Sequence, residues 1–189
     1  MSGRQSVELA CHPSMHSHGV RGIAVDVRRS ADGALALTFR LAGDLAGIRV
    51  PAPHAPRIGD RLWEHTCFEA FLGLEGTAGY HELNFAPSGE WAAYAFRSYR
   101  DLAGPLDASL APRIVVCAAP GWVALDAVVP LDRLSSRHRR ARLQLGLSAV
   151  VDAVDGTCSY WALRHAPGRP DFHRADAWAL RLEPPAAEW

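Results

Sequence analysis

Between Leu62 and Phe96 the chain alternates with period two and is interrupted only by short Gly- and Pro-rich turns: LWEHTCFEAFL, GLEGTAG, YHELNFA, PSG, EWAAYAF. Period-two alternation places successive side chains on opposite faces of a strand, and Gly and Pro mark the reversals. The stretch therefore predicts three antiparallel strands. Phe68, Ala70 and Leu72 share one face with Leu83 and Phe85. His65, Cys67, Glu69, Phe71, Tyr80, Glu82 and Asn84 share the other. Carboxylates, an amide and aromatics make a poor core and a plausible ligand surface.

The rest of the chain repeats the pattern. Strands are predicted at Val7–Cys11, Gly22–Arg29, Ala34–Leu41, Arg113–Ala118, Trp122–Val129, Leu143–Val151, Ser159–His165 and Asp176–Leu182. Ile48 and Val50 form a short edge piece in the Pro-rich stretch 44–56. Asp32-Gly33 and Asp155-Gly156 are hairpin-turn pairs. Arg97–Leu110 reads as a loop or short helical turn, and Pro130–Leu134 as one helical turn. About ten short strands with no long helix predict an all-β fold, an antiparallel β-sandwich of jelly-roll type. The 189 residues show no repeat or domain-sized linker, so one domain is expected over 1–189, with 1–18 and 183–189 loosely ordered.

Composition removes several chemistries. Net charge is zero and every one of the 20 basic residues is Arg, so no Schiff-base or P-loop lysine exists. A neutral chain has no global attraction to nucleic acid or acidic lipid, and neither is an expected partner. Cys11, Cys67, Cys117 and Cys158 are too far apart for a C-x-x-C site. No apolar run of roughly 20 residues spans a bilayer. No apolar segment of roughly 7–15 residues follows the N-terminus, so a cytoplasmic location with reduced cysteines is expected.

Catalytic and metal motifs are sparse. Gly146-Leu147-Ser148 begins a G-x-S-x-G pattern that Val150 leaves incomplete, and His81-Glu82 does not continue to H-E-x-x-H. The three histidines of HPSMHSH (12–18) have no accompanying Cys or carboxylate and read as a solvated loop rather than a metal site. SSRHRRAR (135–142) lacks aromatic interleaving and reads as a solvated connection rather than a phosphate patch.

The carboxylates Glu69 and Glu82 are the strongest candidates. On neighbouring antiparallel strands they approach each other on one face. They can accept hydrogen bonds from sugar hydroxyls, act as the acid and base of a hydrolase, hold a hard cation such as calcium, or pair with Arg97 and Arg164. Trp122 and Asp126 repeat the aromatic-plus-carboxylate pattern opposite Val123 and Leu125. Haem ligation would fall to His65, His165 or His173, since only Met1 and Met15 are present. No cofactor is expected.

The segments LWEHTCFEAFL, YHELNFAPSGEWAAY, WVALDAVVPL and YWALRH…PDFH together resemble bacterial proteins with a DOMON-like domain, relatives of the family-nine carbohydrate-binding modules. The resemblance extends in order from His12-Pro13 to Leu182. It implies a β-sandwich with a concave ligand-binding face that takes a sugar in some relatives and haem in others. Glu69, Glu82, Asn84 and Asp126 match the acidic and polar positions of that face. The haem-binding relatives' Met ligand has no counterpart. The resulting expectation is a non-catalytic module for a small polar, carbohydrate-like ligand. Glu69, Glu82, Asn84 and Asp126 would hydrogen-bond it, Trp63, Tyr94, Trp122 and Trp161 would wall it, and Arg164 and His173 would contribute donors. A Glu69/Glu82 hydrolase and a haem protein are the alternatives.

Overall fold

The computed structural model describes residues 4–16 and 19–185. In chain order the strands are β1 Gln5–Cys11, β2 Val20–Arg29, β3 Ala34–Gly43, β4 Arg57–Ile58, β5 Cys67–Leu74, β6 Tyr80–Phe85, β7 Glu90–Ser98, β8 Asp101–Pro105, β9 Arg113–Ala119 and β10 Trp122–Pro130. The four-residue helix α1 (Leu131–Leu134) leads to β11 Leu143–Asp152, β12 Cys158–Ala162 and β13 Leu180–Leu182. The Asp32-Gly33 turn has Gly33 at φ 86°, the left-handed conformation such a hairpin demands. No helix among the described residues is long and apolar enough to cross a membrane.

The all-β expectation holds, but the strands do not divide into two separate sheets. They form one curled, mixed sheet, a half-barrel, in the order β4-β7-β6-β5-β11-β12-β1-β2-β3-β10-β9, with β13 added to β11 and β8 to β7. The reason lies in β1. Its residues Gln5–Leu9 pair with β2, and Ala10 and Cys11 pair with β12, so one strand joins both halves. The two-residue β4 runs parallel to β7, which makes the sheet mixed rather than purely antiparallel. The strand expected at Val7–Cys11 is β1, begun two residues earlier at Gln5, so this part of the segment 1–18 is bonded into the sheet. The expected loose residues 1–3, 17–18 and 186–189 lie outside the described part.

Two predicted elements differ. Asp176–Leu182 gives only the short β13, because Ala175–Ala177 turns as a 3₁₀ helix that lays Trp178 over the sheet. Arg97–Leu110 extends β7 and returns as β8 before its 3₁₀ turn.

The core follows the alternation. Leu35, Leu37, Phe39 and Leu41 of β3 face Phe68, Ala70 and Leu72 of β5, all essentially inaccessible to solvent. Phe39 stacks on Phe68 with ring centroids 5.0 Å apart. Each buried Leu or Phe among them contributes about 1.5–3 kcal/mol. This core fixes the register of β5, β6 and β11 and so decides which residues reach the opposite face.

Candidate functional site

The face of β5–β7, β11 and β12 turned away from the core carries two cross-strand rows. In one, Gly146, Phe71, Glu82 and Tyr94 are successive partners. In the other, Ser148, Glu69, Asn84 and Ala92 are. Val150 opposite Tyr160 extends the surface onto β12. Above it lies a cleft of about 420 Å³. Trp63, Phe71, Tyr94, Phe96, Tyr160 and Phe172 wall the cleft, and Glu69, Glu82, Arg100, Asp171 and His173 supply its polar lining.

Residues 170–178 close one side as a strap. Trp178 is seated on Gly146, where a Cβ atom would come within 2.3 Å of the Trp178 Cδ1 atom, so only glycine fits beneath this ring. The Trp178 indole Nε1 donates to the Phe172 carbonyl at 2.9 Å. The strap is tied to the β7–β8 turn: the Tyr99 hydroxyl donates to Asp171 at 2.6 Å and the Arg100 guanidinium at 2.8 Å.

The carboxyl groups lie at the bottom. Glu69 is 2% exposed and Glu82 6%. Ser148 Oγ donates to Glu69 Oε2 at 3.1 Å, and Asn84 Nδ2 donates to Glu82 Oε1 at 2.8 Å. His173 Nε2 lies 3.7 Å from Glu82 Oε2. The Tyr80 hydroxyl accepts from the Arg100 backbone N–H at 3.2 Å and lies 2.7 Å from His173 Nδ1.

Burial governs the charge states. Burial and then the neighbouring Glu82 push the Glu69 carboxyl up to about 8, against the opposing Ser148 bond. Burial also raises Glu82, opposed by Asn84 and Arg100. Burial followed by the Arg100 charge pushes His173 down to about 4, so its imidazole is neutral at pH 7. Desolvation disfavours the charged form in all three.

The expected site residues separate into three groups. Trp63, Glu69, Glu82, Tyr94 and His173 meet at the cleft, with Trp63 and Tyr94 in an edge contact at 5.6 Å. Asn84 is fully buried beneath it, holding Glu82. The other four lie elsewhere. Trp161 points into the core, because its partner Ala149 is an inward residue of β11; its neighbour Tyr160 takes the cleft side. Trp122 and Asp126 lie on the outer face of β10, in the other half of the sheet, where Asp126 accepts from the Thr38 hydroxyl. Arg164 is exposed beside a narrow recess under Phe172 and Trp178.

The other expected pairings also resolve differently. Arg97 donates to Asp101 at 3.2 Å, not to either buried glutamate. His65 sits 3.3 Å from Asp152, and His165 Nε2 is 2.8 Å from the Ala10 carbonyl, so these two histidines do not join His173. In the HPSMHSH segment, His12 bonds Ser14 at 2.8 Å and packs against His165, while His18 lies outside the described residues. Among the described residues no group of three or more His, Cys, Asp and Glu side chains is placed to hold a metal ion. Phe71 joins the cleft by strand parity, and Tyr160 by its pairing opposite Val150. Arg100, Asp171 and Phe172 come from turns, where alternation carries no signal.

No sequence-family profile and no curated protein matches the chain. Solved structures do. A Bacteroides uniformis protein, provisionally described as carbohydrate-binding, superposes with a TM-score of 0.69 at 13% identity, over 93% of this chain and 84% of that one. A family 9 carbohydrate-binding module from Caldicellulosiruptor kristjanssonii, solved with cellotriose, superposes with a TM-score of 0.53 at 9% identity, over 87% and 75% of the two chains. The common property is the fold.

Proposed function

We propose that this chain is a non-catalytic module that holds a small carbohydrate-like ligand in the cleft over β5–β7, β11 and β12. One observation carries the reading: buried carboxyl groups lie at the bottom of a cleft walled by six aromatic rings. Sugars need both, flat apolar faces to stack on and fixed polar atoms for their hydroxyls. The fold shared with a carbohydrate-binding module supports the same ligand class, as does the DOMON-like resemblance of the strands that build the cleft. All four cysteines are free, which suits a reducing cytoplasm.

Titration calorimetry with glucose, cello-oligosaccharides and aminosugars tests the reading. Saturable binding is expected, abolished by Glu82→Ala and weakened about tenfold by Trp63→Ala, which removes a stacking wall. A wild-type protein that binds none of the sugars overturns it. So does turnover of aryl glycosides that disappears in Glu69→Gln, since that would make the carboxyl pair an acid and base.

A further inference from the structure

The cleft has an unbalanced charge inventory. Its lining contains three carboxyl groups (Glu69, Glu82 and Asp171) against one guanidinium, Arg100. Arg100 pairs with Asp171 at 2.8 Å and its charge also acts on Glu82, but among the described residues no guanidinium bonds Glu69 or Glu82. The chain has no lysine, and the groups bonded to these two carboxyls are the neutral Ser148 and Asn84. His173 is 3.7 Å from Glu82, but its imidazole is neutral. The other titratable groups facing the pair add no cation: Cys67 beside both glutamates, Tyr80 and Tyr94 near Glu82, and Tyr160 near Glu69. A buried carboxyl group either stays protonated or, when ionised, is matched by a cation or a metal. Here aromatic rings line the space above them, and an aromatic face attracts a weakly hydrated organic cation.

We infer that the occupant of this cleft carries an ammonium group, seated against Glu69 and Glu82 inside the ring wall of Trp63, Phe71, Tyr94 and Tyr160. Resting on the carbohydrate reading above, this narrows the ligand class to aminosugars. Burial and the neighbouring Glu82 hold the Glu69 carboxyl raised, at about 8. A bound ammonium favours the ionised carboxyls, so binding near pH 7 expels a proton. A neutral sugar has no such effect.

The test uses glucosamine, glucose and choline as probes on the intact protein. Calorimetry at pH 7 in two buffers of different ionisation heat should show glucosamine binding at least about tenfold tighter than glucose, with proton release for glucosamine only. Choline, whose ammonium cannot titrate, should bind more tightly as pH rises from 6 to 9, as Glu69 ionises through about 8. Glu69→Gln and Glu82→Gln keep the shape and remove the charge. Each should erase the glucosamine preference, with thermal melts confirming the fold. If a variant fails to fold, the wild-type proton release decides alone. Glucose binding as tightly as glucosamine without proton release overturns this inference and leaves the carbohydrate reading standing. Choline binding while both sugars fail keeps the ammonium site and overturns the sugar. Failure of all three probes overturns both.

Discussion

At the scale of single residues, Glu69 carries the most information. Its facing was legible because CFEAFL alternates cleanly: Phe68 and Ala70 must face the core, so Glu69 must face away. Its charge state was not, since that depends on Glu82 and Ser148 arriving from two other strands. The folded carboxyl titrates near 8 and the unfolded one near 4.5. With the folded value raised, its contribution to stability is fully present below pH 4.5 and is lost as pH climbs through 8. The loss should reach about 2–4 kcal/mol by pH 9. Glu69→Gln cannot ionise, so its melting temperature should exceed the wild type's at pH 9 and match it at pH 5. Equal alkaline losses in both proteins would show that Glu69 ionises freely. Trp161 marks the opposite limit of residue-level reading. In CSYWA two large aromatics are adjacent, and only the pairing with Val150 and Ala149 decides that Tyr160 faces the cleft and Trp161 the core.

At the scale of elements, the strap 170–178 makes the site, and it was the least legible part. Asp176–Leu182 alternates well enough to predict a full strand, but Gly146 leaves a gap on β11 that Trp178 fills, and the backbone turns to deliver it. Strand propensity lost to tertiary packing. The ion pair that fastens the strap joins residues 71 positions apart, beyond any local pattern. Gly146→Ala tests the arrangement. The new methyl would meet the Trp178 ring at 2.3 Å with no flexible atom to yield. A cost of about 1–3 kcal/mol is expected from overpacking. Because Trp178 also holds the Phe172 carbonyl, the displacement should reach His173 and weaken ligand binding beyond the stability loss. Chemical denaturation and calorimetry on the same variant separate the two effects. Unchanged affinity would mean the strap does not position the cleft.

At the scale of the molecule, all-β character could be read from the sequence and the joining of both halves into one curled sheet could not. Whether β1 belongs to one sheet or two depends on a seven-residue strand dividing its partners, which periodicity cannot express. The same holds for Trp122 and Asp126: alternation separates core from surface but does not say which of two outer faces a strand presents. The half-barrel also buries a cationic knot at one end. Arg29, 1% exposed, donates to the carbonyls of Ala141, Glu183 and His138, tying β2 to the chain on either side of β11. His138 packs against His81 at 4.9 Å, and both of its ring nitrogens are buried with no hydrogen-bond partner among the described residues. Burial, then His81 and Arg29, push His138 down to about 4 from an ordinary 6.5. A lowered histidine is neutral in the fold and charged in the unfolded chain, so stability should fall as pH drops from 6.5 toward 4. By pH 5 the loss is about 2 kcal/mol for this residue. Glu69 removes stability on the alkaline side and His138 on the acid side, so the optimum should lie near pH 6. His138→Phe should flatten the acid limb of a melting-temperature profile and leave the alkaline limb unchanged, while Glu69→Gln does the reverse. The two act at separate sites, so the double variant should show both changes added. An acid limb that survives His138→Phe would assign it to other groups, His173 first among them.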